Sequence, residues 1–171
     1  MLDILRYYCF FFFGKKVRTA CILFNSCLIS KRKRYALLRK IGVSVNTQST
    51  IIEPFYFEQG RIILIGSVFI NANCVFLDAG EITIGNNTAI GPGVVLTTVT
   101  HHTSPNKRPK GTICKPIHIG NNVWIGANST VLPGVTIGDN SVIAANSMVN
   151  TNVPSDTLYA GSPATLKKHL V

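Results

Sequence analysis

A six-residue repeat is the feature of this sequence that most restricts its fold. In residues 119–149, IGNNVWIGANSTVLPGVTIGDNSVIAANSMV, an aliphatic residue returns at every sixth position. The same frame occupies residues 84–96, which brings the total to nine hexads. Neither a helix, with 3.6 residues per turn, nor an ordinary strand, with a period of two, repeats in this way. The aliphatic positions are Ile84, Ile90, Leu96, Ile119, Ile125, Val131, Ile137, Ile143 and Val149.

Two further positions of each hexad carry a restricted residue type. Three residues after the aliphatic, Asn or Gly occurs in eight of the nine hexads, at positions 87, 93, 122, 128, 134, 140, 146 and 152. These residues adopt positive φ most cheaply, so we expect the chain to turn a corner once per hexad. The next position is small or β-branched throughout and is expected to fit inside the corner. Its occupants are Thr88, Val94, Thr100, Val123, Ser129, Val135, Ser141, Ser147 and Val153.

A short strand followed by a turn, repeated many times, predicts an all-β solenoid. Three hexads make one triangular coil of 18 residues with the aliphatic side chains stacked inside, which is a parallel β-helix. The repeat itself does not determine the handedness of that helix. A β-sandwich with accidental spacing would need the same coincidence in nine hexads.

The repeat is interrupted between Leu96 and Ile119. The intervening THHTSPNKRPKGTICKP has three prolines and four basic residues, and we predict a loop excursion over residues 101–116. His101 and His102 stand at its root. A histidine held there can act as a general base, because it titrates near neutral pH. The alternative is a loop histidine that satisfies local backbone groups.

The positive charge of the chain is concentrated at one end. Residues 1–40 hold ten Lys/Arg and one acidic residue, whereas the remainder holds seven basic and six acidic residues. A broad basic face for nucleic acid is therefore not expected. Residues 1–40 are predicted to form a basic, aromatic helical segment, with a break between two short helices at Gly14–Lys16. This segment either anchors the protein peripherally to the inner face of a membrane or caps the first coil.

The five cysteines and four histidines limit the chemistry that can be considered. An odd number of cysteines without a CxxC pair favours neither a disulfide framework nor a zinc knuckle, and we expect a cytoplasmic protein. Cys74 and Cys114 are expected to pack rather than act as nucleophiles. A zinc enzyme of the carbonic anhydrase type would need three histidine ligands, and it remains open as an alternative.

Several segments resemble a known family of enzymes. They are INAN, FLD, ITIGNN, TTVTHH and KPIHIGNNVWIGANSTVLPGVTIGDN, within a match from about Tyr35 to Lys168. They are similar to the maltose and galactoside O-acetyltransferase branch of the hexapeptide-repeat acyltransferases and to related polysaccharide O-acetyltransferases. The resemblance implies a left-handed parallel β-helix over residues 41–160, a short C-terminal helix or tail over 161–171, and a homotrimer.

The resemblance also implies roles for individual residues. His101 corresponds to the catalytic base, and Asn71 and Asp78 correspond to residues that line the acceptor pocket. No metal is implied. Positions that correspond to the acetyl-CoA site are Trp124, Gly126, Ala127, Ala145, Lys167 and Lys168.

Departures from the family pattern concern both substrates. Ala127 stands where the galactoside branch has Ser, and Thr151 and Thr165 replace basic residues that favour coenzyme A phosphates. Lys110 and Lys115 are further candidates for those phosphates. The acceptor segment reads YFEQG, Tyr56 to Gly60, so the acceptor is expected to differ as well.

The implied function is direct acetyl transfer from acetyl-CoA to a sugar hydroxyl, in the biosynthesis of a cell-surface polysaccharide or lipid-linked glycan. Serine or antibiotic acceptors of the same fold remain alternatives, as does a non-catalytic β-helix. No nucleic-acid partner is expected.

Overall fold

The computed structural model describes residues 17–26 and 28–171. Two helices, α1 (Val17–Phe24) and α2 (Lys31–Ile41), precede a series of short strands, and a 3-10 turn spans Arg108–Lys110. The strands are β1 (Thr50–Ile51), β2 (Phe55–Phe57), β3 (Ile62–Leu64), β4 (Val68–Ile70), β5 (Cys74–Leu77), β6 (Ile82–Ile84), β7 (Thr88–Ile90), β8 (Val95–Thr97), β9 (Val99–His101), β10 (Thr112–Cys114), β11 (Ile117–Ile119), β12 (Trp124–Ile125), β13 (Thr130–Val131), β14 (Thr136–Ile137), β15 (Val142–Ile143), β16 (Met148–Val149), β17 (Thr157–Gly161) and β18 (Ala164–His169).

The strands form three parallel sheets around a triangular core. Sheet A has the order β3-β6-β11-β14, sheet B the order β1-β4-β7-β12-β15-β17-β18, and sheet C the order β2-β5-β8-β13-β16. All neighbours within these sheets are parallel except β17 and β18. Successive strands along the chain belong to successive sheets, so each coil contributes one strand to each side. This is the predicted parallel β-helix.

The nine aliphatic positions of the repeat fill the interior. Each is at most 3% exposed. They stack in register from coil to coil, for example Ile90 on Ile125 and Ile125 on Ile143. Burial of each such side chain stabilises the fold by about 1.5–3 kcal/mol, and no coil could bury its own residues without its neighbours.

The predicted corners are present, with one exception. Seven of the eight Asn and Gly positions have positive φ; only Asn152 is absent from this set. Its Oδ1 accepts the Thr136 N–H at 2.8 Å instead. The small position of the hexad is also buried in eight of nine cases. Thr100 is the exposed exception, because it lies in the excursion, and the buried Thr98 replaces it at the corner.

A column of amide side chains joins the coils at the corner between sheets A and B. Asn87 Nδ2 donates to Asn122 Oδ1, and Asn122 Nδ2 donates to Asn140 Oδ1, each at 3.0 Å. Asn140 Nδ2 then donates to Asp156 Oδ1 at 2.7 Å. The asparagines of this corner therefore have two functions: they accept the positive φ and they connect successive coils.

Coils at the N-terminal end are longer than the repeat predicts. Ile70 pairs with Ile90, 20 residues later, whereas Ile125 pairs with Ile143, 18 residues later. Phenylalanines fill the wider interior of these coils, with Phe55 and Phe76 in edge-to-face contact at 4.9 Å. The hexad pattern does not extend here, so the repeat did not predict this part of the β-helix.

Helices α1 and α2 cover the open end of the first coils. Phe24 of α1 packs edge-on against Phe55 and Phe57, with centroid distances of 6.0 and 6.5 Å. Leu37 and Leu38 of α2 are fully buried. The described helices therefore pack on the end of the β-helix, which is one of the two roles predicted for this segment. The helix break predicted at 14–16 lies outside them. Within the described part of the chain, no helix has the length and apolarity needed to span a bilayer.

One local prediction was wrong, and one predicted boundary differs from the structure. The segment after residue 161 is the strand β18 rather than a short helix, because it turns back and pairs antiparallel with β17. The excursion is an antiparallel hairpin that begins at Val99, two residues earlier than predicted, with Ile113 of β10 opposite Thr100 of β9. Its β-branched residues can form a strand because β9 supplies a partner. The domain boundaries at 40 and 160 stay predictions.

The amide column gives a test of corner energetics. Asn122→Ala removes two side-chain hydrogen bonds and leaves a residue with Cβ at φ 54°. We expect it to lower the free energy of unfolding by about 2–3 kcal/mol. Asn122→Gly loses the same bonds but tolerates the φ, and should lie about 1 kcal/mol closer to the wild type. Chemical denaturation measures both; equal losses would contradict the φ argument.

Candidate active site

His101 is the exposed last residue of β9, opposite Thr112 of β10. A shallow pocket of about 490 Å³ adjoins it, lined by His101, Pro105, Arg108 and Pro109. The Arg108 guanidinium donates to the Thr103 carbonyl at 2.9 Å and to the His102 carbonyl at 3.4 Å. The imidazole therefore lines a concave surface, and Arg108 holds the surrounding loop through these two hydrogen bonds.

The hairpin is fixed to the β-helix at the corner between sheets C and A. The Thr98 carbonyl accepts the Lys115 N–H at 2.9 Å, which closes the base of the excursion. The Thr98 hydroxyl donates to the Leu77 carbonyl and accepts the Gly80 N–H, at 2.7 and 2.8 Å. Gly80 is required here, because a Cβ would lie 2.8 Å from Cys114 Sγ. His101 therefore projects from a rigid base.

Asp78 lies one coil away, two residues before Gly80, and is completely buried. Its Oδ1 accepts the N–H groups of Glu58 and Gln59 at 2.6 and 3.0 Å, and its Oδ2 accepts that of Arg61 at 2.7 Å. Three backbone donors satisfy a carboxylate that would otherwise be costly to bury. Asp78 therefore holds the turn 58–61 in place. Direct contact between Asp78 and an acceptor stays a prediction.

A larger cavity of about 760 Å³ lies between α1 and this turn. Its lining residues are Arg18, Cys21, Ile22, Asn25, Tyr56, Phe57, Glu58 and Gln59. Asn25 is the residue that joins the two walls. Its Nδ2 donates to the Phe55 carbonyl at 2.9 Å and its Oδ1 accepts the Phe55 N–H at 2.8 Å, as a neighbouring strand would. Sequence reasoning missed Asn25, because a single Asn after a helical stretch carries no signal of this pairing.

Four of the predicted site residues lie at the corner between sheets B and C: Asn71 of the acceptor pocket, and Gly126, Ala127 and Ala145 of the acetyl-CoA site. The N–H groups of Asn71 and Gly126 donate to carbonyls of the next coil, those of Ile90 and Ile143. A Cβ on Gly126 would lie 2.5 Å from Ala145 N, so the small residues at 126, 127 and 145 let the coils approach closely. The result is a corner free of bulky side chains.

The outer face of sheet B carries the aromatic and basic candidates. Ala89, Trp124 and Val142 lie side by side in register, and the same row continues through Leu158 to Lys168. Trp124 is 58% exposed. Lys167 occupies an irregularity of the β17–β18 pairing and donates to the Thr165 hydroxyl at 3.0 Å. A flat aromatic surface next to small residues, with cations beyond it, fits a pantetheine chain with a phosphorylated end.

The structure therefore divides the predicted residues into two groups. His101 and Asp78 belong to the corner between sheets C and A, whereas Asn71, Gly126, Ala127 and Ala145 belong to the corner between sheets B and C. Six residues separate these corners along one coil, which is about 20 Å of extended chain. One copy of the chain does not bring the two groups together.

The described cysteines, Cys21, Cys74 and Cys114, and the remaining histidines show no arrangement for nucleophilic or metal chemistry. Burial raises the pKa of the Cys74 thiol to about 11, so it is not a thiolate near neutral pH. Cys114 is exposed. His118 lies on sheet A and His169 on β18. In residues 17–26 and 28–171, no three His, Cys, Asp or Glu side chains form a group that could hold a metal ion.

Comparison with known proteins places the chain in a family. Residues 116–151 match the bacterial transferase hexapeptide family, which is described by six repeats. The galactoside O-acetyltransferase of Escherichia coli K12 is 40% identical over 133 residues, which cover 77% of this chain and 66% of that protein.

Two solved structures match over nearly the whole chain. A hexapeptide-repeat acetyltransferase from Vibrio cholerae, complexed with acetyl coenzyme A, is 41% identical, with a TM-score of 0.87 over 92% of this chain and 86% of that one. A maltose O-acetyltransferase from Clostridium difficile 630 is 33% identical, with a TM-score of 0.85 over 99% and 89%.

The chain therefore belongs to the hexapeptide-repeat transferases, in the branch that contains the galactoside and maltose O-acetyltransferases. The predicted family and fold class, a left-handed parallel β-helix, are confirmed. The match spans 66% of the length of the galactoside enzyme, slightly less than two thirds.

The buried carboxylate of Asp78 provides a test of how the cavity is supported. Asp78→Asn replaces one acceptor oxygen with an N–H group that must face a backbone N–H. We expect a loss of about 1.5–3 kcal/mol in the free energy of unfolding, measured by thermal or chemical denaturation. The control is Glu81→Gln, an exposed carboxyl in the next segment, with an expected change below about 0.5 kcal/mol. Equal effects would show that the three backbone contacts contribute little.

Proposed function

We propose that the chain transfers the acetyl group of acetyl-CoA directly to a sugar hydroxyl, with His101 as the general base. The observation that carries the proposal is the position of His101. It is an exposed imidazole at the root of a hairpin that interrupts an otherwise regular coil stack, in a chain of this family. A regular solenoid offers few concave sites, and the interruption provides one.

The reaction needs one proton transfer in each direction. Neutral His101 takes the proton of the acceptor hydroxyl as its oxygen attacks the thioester carbonyl. The tetrahedral oxyanion is stabilised by a backbone donor, for which the Ala127 N–H is the candidate, because position 127 has no hydroxyl. Collapse of the intermediate breaks the C–S bond, and the imidazolium returns the proton to the coenzyme A thiolate. No covalent enzyme intermediate is involved.

The row on sheet B supports the binding of acetyl-CoA. Trp124 would contact the pantetheine arm, and the small residues 126, 127 and 145 leave room for it at the corner. Lys168 lies on the same row and Lys167 next to it, so both can neutralise phosphate groups. These two lysines would supply the positive charge that Thr151 and Thr165 lack.

The cavity between α1 and the turn 58–61 is the candidate acceptor site. Its walls combine an exposed tyrosine, Tyr56, with the polar side chains of Asn25, Glu58 and Gln59. Aromatic and polar groups together suit a sugar ring, which has apolar faces and a rim of hydroxyls. We infer a precursor of a cell-surface polysaccharide as the acceptor, modified in the cytoplasm, where acetyl-CoA is available.

We further infer that the active form is a homotrimer. Within one copy His101 and Asp78 lie at one corner of the prism, whereas Asn71 and the coenzyme-side residues Gly126, Ala127 and Ala145 lie at another. A cyclic assembly can bring the first corner of one copy to the second corner of its neighbour, and three copies then form three equivalent sites.

The role of His101 is tested by removing its side chain. We expect His101→Ala to lower kcat by about 10²–10⁴-fold, because a positioned general base contributes that much. The dissociation constant of acetyl-CoA, measured by calorimetry, should be unchanged. His102→Ala is the matched control, since it removes the adjacent imidazole, which does not line the pocket beside His101. A kcat for His101→Ala close to that of the wild type would exclude His101 as the general base.

The trimer is tested by mass. Sedimentation equilibrium at assay concentrations should give three times the 18.6 kDa of the single chain. Because each site then needs two copies, inactive His101→Ala subunits mixed with subunits that lack the coenzyme corner should regain activity. A monomeric mass under conditions of full turnover would contradict the shared site.

A further inference from the structure

The outer surface of the cap is both cationic and apolar. We call it the cap surface and define it by the five exposed residues Arg18, Ile22, Leu28, Lys31 and Arg32. Ile22 is 57% exposed and Leu28 is 54% exposed. Neither side chain belongs to the buried core. On α1 the core contacts come from other positions, Ala20, Cys21, Leu23 and Phe24.

Each apolar residue of the cap surface has a cation three or four residues away along the chain. Arg18 and Ile22 are four residues apart on α1 and share a helix face. Leu28 lies between the helices, three residues before Lys31. The Ser26 carbonyl accepts the Ile29 N–H and the Arg34 guanidinium, each at 3.3 Å, and so joins the end of α1 to α2. The cap therefore combines exposed apolar and cationic side chains on both of its helical segments.

The charge of this region is not balanced by acidic residues. Residues 17–52 contain seven Lys/Arg and no Asp or Glu. The first acid, Glu53, forms an ion pair with Arg34, and the hydrogen bond from that guanidinium lowers the pKa of the Glu53 carboxyl. Of the cations of the cap surface, Lys31 donates to the Thr50 hydroxyl at 3.4 Å, and Arg18 and Arg32 have no carboxylate within residues 17–52. A strongly positive surface with protruding aliphatic groups results.

We propose that the cap surface docks onto an anionic lipid bilayer. The lysines and arginines would contact lipid headgroups, and Ile22 and Leu28 would enter the boundary between headgroups and acyl chains. The sequence that precedes α1, ILRYYCFFFFGKK, continues the same combination of aromatic and basic residues. Aliphatic side chains gain from hydrocarbon but do not stack on bases, so these exposed groups favour a lipid surface over a nucleic acid.

Docking would place the candidate acceptor cavity at the membrane. Arg18 and Ile22 belong both to the cap surface and to the lining of the 760 Å³ cavity. The opening beside α1 would then lie at headgroup level, where a glycan carried on a lipid presents its sugars. The docking itself depends only on the cap, and it is independent of whether the proposed acetyl transfer is correct.

Vesicle sedimentation of the full chain tests the proposal. Vesicles of phosphatidylcholine with phosphatidylglycerol should sediment the protein, vesicles of phosphatidylcholine alone should not, and high salt should release it. Arg32→Glu should lower the partition coefficient at least about fivefold, the effect of one cation near an anionic surface. Leu28→Asn should lower it at constant charge, since it removes the group that inserts.

A matched control separates the cap from total charge. Lys107→Glu makes the same change in net charge on the exposed excursion, far along the chain from the cap, and should leave the partition within about twofold of the wild type. Circular dichroism establishes that each variant is folded. Equal losses for Arg32→Glu and Lys107→Glu, or no sedimentation with either vesicle, would overturn the proposal. Binding of an RNA or DNA oligonucleotide without any vesicle binding would assign the charge to nucleic acid and also overturn it.

Discussion

The stacking of each coil on the next is the interaction on which the whole structure depends. An inward aliphatic such as Ile125 is covered above and below by Ile143 and Ile90 of neighbouring coils. A strand of two or three residues could not bury a side chain alone, so stability here is a property of neighbouring coils. Close stacking requires small residues at the corners, for example at Gly126, where a Cβ would lie 2.5 Å from Ala145 N of the next coil.

Function is located where the stack is interrupted or ends. The excursion leaves at Thr98, whose hydroxyl and carbonyl hold both the coil below and the returning strand, so a loop with three prolines still presents His101 from a fixed base. At the N-terminal end, α1 closes the first coils and forms a cavity with the turn that Asp78 supports. The coil stack thus positions three irregular features: the histidine of the excursion, the cavity beside α1 and the charged outer surface of the cap.

The sequence predicted the regular half of the fold better than the irregular half. From Ile84 onward one hexad corresponds to one side of a coil, and the asparagines with positive φ mark the corners. The coils before them are one or two residues longer and are filled by Phe55 and Phe76, so a fixed period could not find them. β18 and β10 were missed for another reason. Each forms a strand because a distant segment, β17 or β9, offers an open edge.

By itself the sequence determined the solenoid, its corners, the site of the interruption and the identity of the histidine at its root. These follow from local chemistry: a repeated φ requirement and a repeated side-chain size can be read in order along the chain. Only the tertiary structure decided that the buried Asp78 carboxylate accepts three backbone N–H groups and that the Asn25 side chain pairs with the backbone of Phe55 in β2. It also decided that the predicted site residues divide between two corners. Those facts depend on which coil lies beside which, and spacing along a chain does not contain that information.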